Sequence, residues 1–197
     1  MDKIVITDEA NRKVRRILEE TDVEKWYALS APFQHELDAQ KRLDNFKVRN
    51  YVPMHWVIKS VHGSKKRVLE PVIHNLIFAY ATKSRIREIK LGYQYLQFKT
   101  GIREGRKFIV SVPEDQMEQF IRICDARSEN VKFFEPGELN IPSGTKVRIL
   151  GGDFTGIVGT FVSVRGSRSR KVIVQIPWVT TVVIAELTAD LIEVLKD

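Results

Sequence analysis

Four histidines, one cysteine and a scatter of carboxylates are the side chains here whose chemistry could reach beyond packing. His35, His55, His62 and His74 show no metal-ligand spacing with one another or with Cys124. No Gly-x-Ser-x-Gly elbow presents a nucleophile. The glycine-rich stretch from Gly144 to Phe161 puts Thr145 and Lys146 in the wrong order for a phosphate-cradling loop. It also runs into β-branched residues, where such a loop needs a helix. No pair of carboxylates stands apart from an ordinary solvated surface. The expectation is a protein that is not an enzyme, carries no metal or cofactor, and acts by binding.

The basic residues are the better source of function. Lys and Arg number 32 against 25 Asp and Glu, for a net charge of +7, which permits a nucleic-acid-facing surface without requiring one. Lys65, Lys66 and Arg67 lie beside His62 at an expected hairpin tip that turns at Gly63. They could reach phosphates, although a charged hairpin end also protects a sheet edge. Lys41 and Arg42 sit on the first strong helix with His35 at its flank, where a solvated face is the plainer reading. Arg165, Arg168, Arg170 and Lys171 mark a basic turn near the C-terminus. The complementary feature is the apolar run Ile73–Tyr80, in which alternation sends Leu76 and Phe78 to one face and Ile77 and Ala79 to the other. With helices on one face only, the other face becomes an apolar docking patch.

The elements that must position these residues follow from periodicity. Residues 8–20 repeat apolar positions at helical spacing and form either a short helix or a loosely docked extension. Trp26–Ser30 reads as a strand, followed by a helix over Gln34–Phe46 with Ala39, Leu43 and Phe46 facing a sheet. Tyr51–Ile58 alternates as one strand, with Pro53 confining it to an edge or bulge. After Ile73–Tyr80 comes a helix capped by Ser84 and ended by Gly92. Tyr95–Lys99 and Lys107–Val110 add strand material. Ser111-Val-Pro-Glu114 has the form of a capping box, opening a helix whose Met117, Phe120, Ile121 and Cys124 share one face. Cys124 is thereby expected as a buried small hydrophobe. Ser128–Pro142 suits a linker. Five short β-rich segments then follow (146–150, 156–164, 171–177, 180–186 and 191–195), enough for one small barrel with glycine at its corners. A lone cysteine, no secretory signal and no membrane-length apolar run lead to a cytoplasmic expectation with no membrane contact.

The order of these parts resembles the NusG family of transcription factors, over about residues 24–197. Trp-Tyr-Ala-Leu, Tyr-Val-Pro-Met, the basic hairpin, Glu-Pro-Val-Ile-His-Asn-Leu-Ile-Phe and Val-Pro-Glu-Asp-Gln-Met stand in sequence. A linker then leads to Gly-x-x-Val-Arg-Ile-x-Gly-Gly-x-Phe-x-Gly-x-x-Gly. The resemblance implies an α+β chain: an NGN domain, an antiparallel sheet with flanking helices, followed by a five-stranded KOW β-barrel. The boundaries are an extension over 1–23, the NGN domain over 24–128, a linker over 129–141 and the KOW domain over 142–197. General members usually read Phe-Pro-Gly-Tyr-Val-Phe where this chain has Ile73-His-Asn-Leu-Ile-Phe78. Its motifs look like the UpxY-type antiterminators associated with surface-polysaccharide operons, and RfaH-like paralogues also carry Asn at the position of Asn75.

What the resemblance implies is a transcription elongation and antitermination factor. In the family the first domain docks on the clamp helices of RNA polymerase and disfavours pausing. Carried onto this chain, Ile73, Leu76 and Phe78 lie in the docking strand with Tyr27 at its border, although simple alternation puts Ile73 on the face opposite Leu76 and Phe78. His35, Lys41 and Arg42 match the surface that paralogues use on exposed non-template DNA. Lys65, Lys66 and Arg67 point toward the upstream fork or a facing polymerase loop. The KOW domain is expected to recruit a ribosomal protein or a termination factor. The density of β-branched residues in its strands favours a stable barrel over a helical refold. The alternative is a KOW-type RNA-binding or ribosome-associated protein, with the barrel making the decisive contact.

Overall fold

The computed structural model describes residues 22–61, 64–135, 138, 144–163, 170–187 and 189–195. The expected helix at 8–20, the turn at Gly63 and most of the basic turn around Gly166 lie outside them. The first unit is built on β1 (Lys25–Ser30), which pairs antiparallel with β5 (Leu76–Ala81), β6 (Gln97–Phe98) and β9 (Ser111–Val112). β2 (Arg49–Tyr51) extends the sheet on the far side of β5. Successive side chains of a strand point to opposite faces, so the fully buried run Trp26-Tyr-Ala-Leu29 requires cover on both.

That cover comes from three helices. α1 (Glu36–Asn45) and α2 (Lys83–Lys90) bring Ala39, Leu43, Ile86 and Ile89 against Tyr27, Leu29, Ile77 and Ala79. α3 (Glu114–Asp125) brings Met117, Phe120, Ile123 and Cys124 against Trp26, Ala28, Leu76 and Phe78. The open face that the sequence allowed for is therefore closed. Cys124 is buried as expected.

Three local expectations change for identifiable reasons. The run Tyr51–Ile58 is not one strand. It breaks at Val52-Pro53, because proline offers no N–H to the ladder, and β3 (Met54–Val61) leaves the sheet to pair with β4 (Ser64–Pro71) as a separate ribbon. No capping box opens α3. Ser111 is occupied in β9, and Pro113 takes the cap position without a side-chain bond. α2 is capped by Thr82, whose hydroxyl accepts from the Arg85 amide, instead of by Ser84. Asp22 supplements that cap by accepting from the Lys83 amide at 2.8 Å.

The second unit is a six-stranded antiparallel sheet in the order β10-β14-β13-β12-β11-β15. β11 (Thr145–Ile149), β12 (Val158–Ser163), β13 (Arg170–Ile176), β14 (Thr180–Leu187) and β15 (Ile192–Val194) answer to the five expected segments. The sixth, β10 (Val131–Phe134), comes from the stretch read as linker and pairs with β14. Val147, Ile149, Ile157, Val172, Val174, Val182 and Ile184 form the interior. Gly159 is required here by close approach: a Cβ would stand 2.6 Å from the Ile173 carbonyl oxygen across the ladder.

This unit rests on α3 and on the hairpin β7 (Thr100–Arg103) and β8 (Arg106–Ile109). Arg122 donates to the Thr155 carbonyl at 2.6 Å, and the Val158 amide donates to Gln119 at 2.8 Å. Trp178 meets the Phe108 ring edge-on at 4.9 Å between centroids.

Candidate functional site

The first helix divides the residues that the sequence grouped together. His35 shares a hydrogen bond from Nδ1 to Asp38 Oδ2 at 3.1 Å and stacks on Tyr95, with centroids 4.1 Å apart and planes at 21°. That bond, more than the nearby Lys41, holds the Asp38 carboxyl below its ordinary value against the opposing effect of desolvation. Lys41 lies 3.5 Å from Asp38 and remains 76% exposed. His35 and Lys41 thus stay on one accessible surface, joined by Tyr95, which the sequence reading took as strand material but which precedes β6.

Arg42 does not join them. Its Nε and Nη2 both donate to the Ile89 carbonyl at 3.3 Å, and Nη2 donates to the Leu91 carbonyl at 3.2 Å. The guanidinium also lies over Phe46 and Tyr93, at 5.2 and 5.5 Å from the centroids. The last carbonyls of α2 lack intrahelical partners, and a cation at that end is favoured. In this structure Arg42 ties α1 to α2.

The loop leading into α1 is held in an uncommon shape. Phe33, Gln34 and Asn75 all have φ of 61°, in the left-handed region. Asn75 stabilises the arrangement three ways. Its carbonyl accepts from Ala31 at 3.0 Å, its Oδ1 accepts from the Gln34 amide at 3.1 Å, and its own amide donates to the buried carboxylate of Glu36. The outcome is a fixed loop with Phe33 80% exposed.

The expected docking strand is mostly interior. Leu76 and Phe78 are buried, and Phe78 meets Phe120 of α3 edge-on at 5.5 Å. Tyr27 is buried on the opposite face against Phe98, and desolvation pushes its phenol up. None of the three forms an exposed patch, because α3 covers one face and α1 with α2 the other. Ile73 is half-buried beside exposed His74. It precedes β5, so strand alternation does not govern it, and it packs on the same cluster as Leu76 and Phe78.

The β3–β4 ribbon splits the basic triplet. Its register pairs Ile58 with Arg67, Lys59 with Lys66 and Ser60 with Lys65. Alternation therefore puts Lys65 and Arg67 on the face of Trp56 and Ile58, and Lys66 on the other face with Lys59. Lys59 forms an ion pair with Glu70 on that second face. Arg67 lies over the Trp56 ring at 5.0 Å. Among the described residues no three of His, Cys, Asp and Glu gather as a metal site. Among the same residues, no helix is long and apolar enough to cross a membrane.

A mixed α/β unit with helices on both sheet faces, followed by a β-rich unit and bearing basic and aromatic surface groups, is the build of a binding protein of the NGN-plus-β-domain type. The NusG family model, described as transcription termination factor nusG, matches residues 24–122, half of the chain, and the chain belongs to the NusG family. Among curated proteins none matches the chain. Similar solved structures include the domain interaction structure of Thermotoga maritima NusG. It is 19% identical with a TM-score of 0.45, over 88% of this chain and 98% of that one. Two conformations of the MjSpt4:Spt5 complex are each 12% identical, cover 87% of this chain and 99% or 97% of theirs, and have TM-scores of 0.25 and 0.26. Family membership rests on residues 24–122, and with it a general role in transcription elongation. The finer likeness to UpxY-type or RfaH-like paralogues rests on the sequence motifs alone.

Proposed function

We propose that this chain is an antitermination factor that binds RNA polymerase through its first domain and suppresses pausing or termination at particular operons, such as surface-polysaccharide loci. The observation that carries the reading is the family match over residues 24–122, which spans the first sheet and nearly all of α3. The polymerase clamp helices meet the Ile73 end of β5. Ile73 is the accessible member of the docking set, while Leu76, Phe78 and Tyr27 hold β5 in place from within. His35 and Lys41 face non-template DNA, and Lys65, Lys66 and Arg67 lie toward the upstream fork. The β-rich unit recruits a ribosomal protein or a termination factor, and the protein works in the cytoplasm.

The test is copurification of the full chain with RNA polymerase and a pausing assay on the reconstituted elongation complex. Ile73→Asp is expected to abolish association while leaving the circular dichroism spectrum unchanged. Leu76→Asp is the wrong probe, because a carboxylate at that fully buried position disrupts folding itself. A folded wild-type chain that never associates with polymerase refutes the reading.

A further inference from the structure

β10 belongs to the second sheet by its backbone and to the first unit by a side chain. It pairs antiparallel with β14, from Val131 opposite Ile184 to Phe134 opposite Thr181. The Thr180 hydroxyl adds a bond to the Phe134 carbonyl at 3.0 Å. Phe133 meanwhile meets Phe120 of α3 edge-on, with centroids 6.3 Å apart and planes at 89°. Only residues 126–130 separate β10 from the end of α3. Without β10, β14 would be the edge of the sheet. The residues that β10 pairs with, Thr181, Val182, Val183 and Ile184, are all buried.

β10 fills that edge incompletely. β14 runs over eight residues, Thr180–Leu187, and β10 pairs with four of them. Val131, Phe133 and Phe134 are only half-buried, and Lys132 is exposed. An apolar strand edge left open is a template for another chain. An extended segment gains main-chain hydrogen bonds along such an edge and selectivity from alternate side chains. A free strand long enough to follow all of β14 therefore makes more of these bonds than β10 does. The advantage of β10 is its tether, because a short covalent link holds it at an effective concentration of millimolar order.

We propose that β10 is a displaceable plug, and that the edge of β14 beneath it takes an extended segment of a partner protein. The plug describes the partner. Val131 and Phe133 stand opposite Ile184 and Val182, whereas Lys132, opposite Val183, points to the other face and into solvent. The incoming strand is thus antiparallel to β14, apolar at alternate positions and free to carry charge between them. The inference rests on the reading that the β-rich unit recruits a protein, and adds where that protein enters and what stands in its way.

The experiment is fluorescence anisotropy of the full chain with a labelled peptide of residues 129–135, Glu-Asn-Val-Lys-Phe-Phe-Glu, without polymerase. In wild type the tethered plug competes, so binding should be weak. Lys132→Pro spoils the strand but keeps its apolar side chains. The double variant Val131→Ser/Phe133→Ser strips those side chains instead. Each should bind the peptide about tenfold more tightly than wild type, because the open edge is more often available. Hydrogen exchange over Thr180–Ile184 should quicken in both variants and slow again with peptide. Circular dichroism and exchange in β11–β13 check that the sheet stays folded; Lys132, being exposed, gives a variant that removes no core packing. The proposal is overturned if neither variant binds the peptide more tightly than wild type, or if a scrambled peptide of the same composition binds equally well. It is also overturned if bound peptide leaves exchange in β14 unchanged. Peptide binding as expected, with no ribosomal protein or termination factor held by the opened chain, would support the plug and overturn the recruiting reading instead.

Discussion

Replacing Arg42 by alanine removes a guanidinium that donates to the Ile89 and Leu91 carbonyls and lies over Phe46 and Tyr93. Hydrogen bonds from a charged donor contribute about 1.5–3 kcal/mol in the net, and a cation at a helix C-terminus about 0.3–1 kcal/mol. The two rings add about 0.5–1 kcal/mol each at partly exposed sites. These contributions overlap, since one group makes all of them, so the loss is set near the hydrogen-bond value, about 2–3 kcal/mol. For a chain of this size each kcal/mol lowers Tm by about 2–4 °C, which gives a shift of about 5–10 °C. Lys41→Ala, on the same helix but in solvent, should stay within about 0.5 kcal/mol of wild type.

The assay pairs urea unfolding with oligonucleotide binding on both variants, the latter well below the midpoint of the weaker one. If Arg42 is a strut and Lys41 a phosphate contact, the effects cross over. Arg42→Ala loses stability with its affinity nearly intact, and Lys41→Ala loses affinity and salt dependence with its stability intact. An Arg42→Ala chain as stable as wild type but tenfold weaker in binding refutes the reasoning. It would mean that the guanidinium swings out to the ligand and contributes little at the end of α2.

Three further outcomes follow from local chemistry. Cys124 is buried and desolvation pushes its thiol up, so a disulfide reagent at pH 8 should label the native chain only as fast as it opens, and the urea-unfolded chain at once. Asp22, whose carboxyl is held below the ordinary 3.8 chiefly by the Ser84 hydroxyl, contributes stability that is complete above that value and lost as pH falls through its lower folded value. Asp22→Ala, which removes the acceptor, should therefore cost about 1 kcal/mol at pH 7 and less below pH 4, measured by urea titration at each pH. Asn75→Ala should destabilise by about 1–2 kcal/mol more than Asn75→Gly, because only glycine adopts φ of 61° without strain, and both should speed hydrogen exchange at the Gln34 amide.

Periodicity made the sheet, the three helices and the five late strands legible, because apolar spacing records which face of each element is buried. It could not say how many faces of β5 would be covered. Leu76 and Phe78 read equally well as core or as patch, and only the placement of α3 decides between them. Ser128–Pro142 read as linker because its prolines and glycine outweigh the four residues Val131-Lys-Phe-Phe134, whose pairing partner lies some fifty residues later. The basic clusters were visible as composition but not as geometry. Arg42 is claimed by the carbonyls of α2, Lys66 is turned from Lys65 and Arg67 by the strand's period of two, and Arg127 joins Trp56 from a distant element. Phe33 carried no signal, since an isolated aromatic on a loop has no periodicity to reveal it, and Tyr95 read as strand material although it lies in the turn before β6.

Asn75 shows how a departure from a family motif can carry structural content. General members usually have glycine at this place, which fits a backbone with φ of 61°. Asparagine is among the few other residues that tolerate it, and it brings an acceptor that glycine lacks. That acceptor is engaged by the Gln34 amide, forty-one positions away, while the Asn75 amide is engaged by buried Glu36. The substitution thus converts a permissive turn before β5 into a clasp on the loop that enters α1. The clasped loop holds Phe33 in solvent beside a helix start where His35 stacks on Tyr95. Fixing exposed side chains in advance reduces the ordering cost of binding, which favours the proposed contact of this surface with non-template DNA.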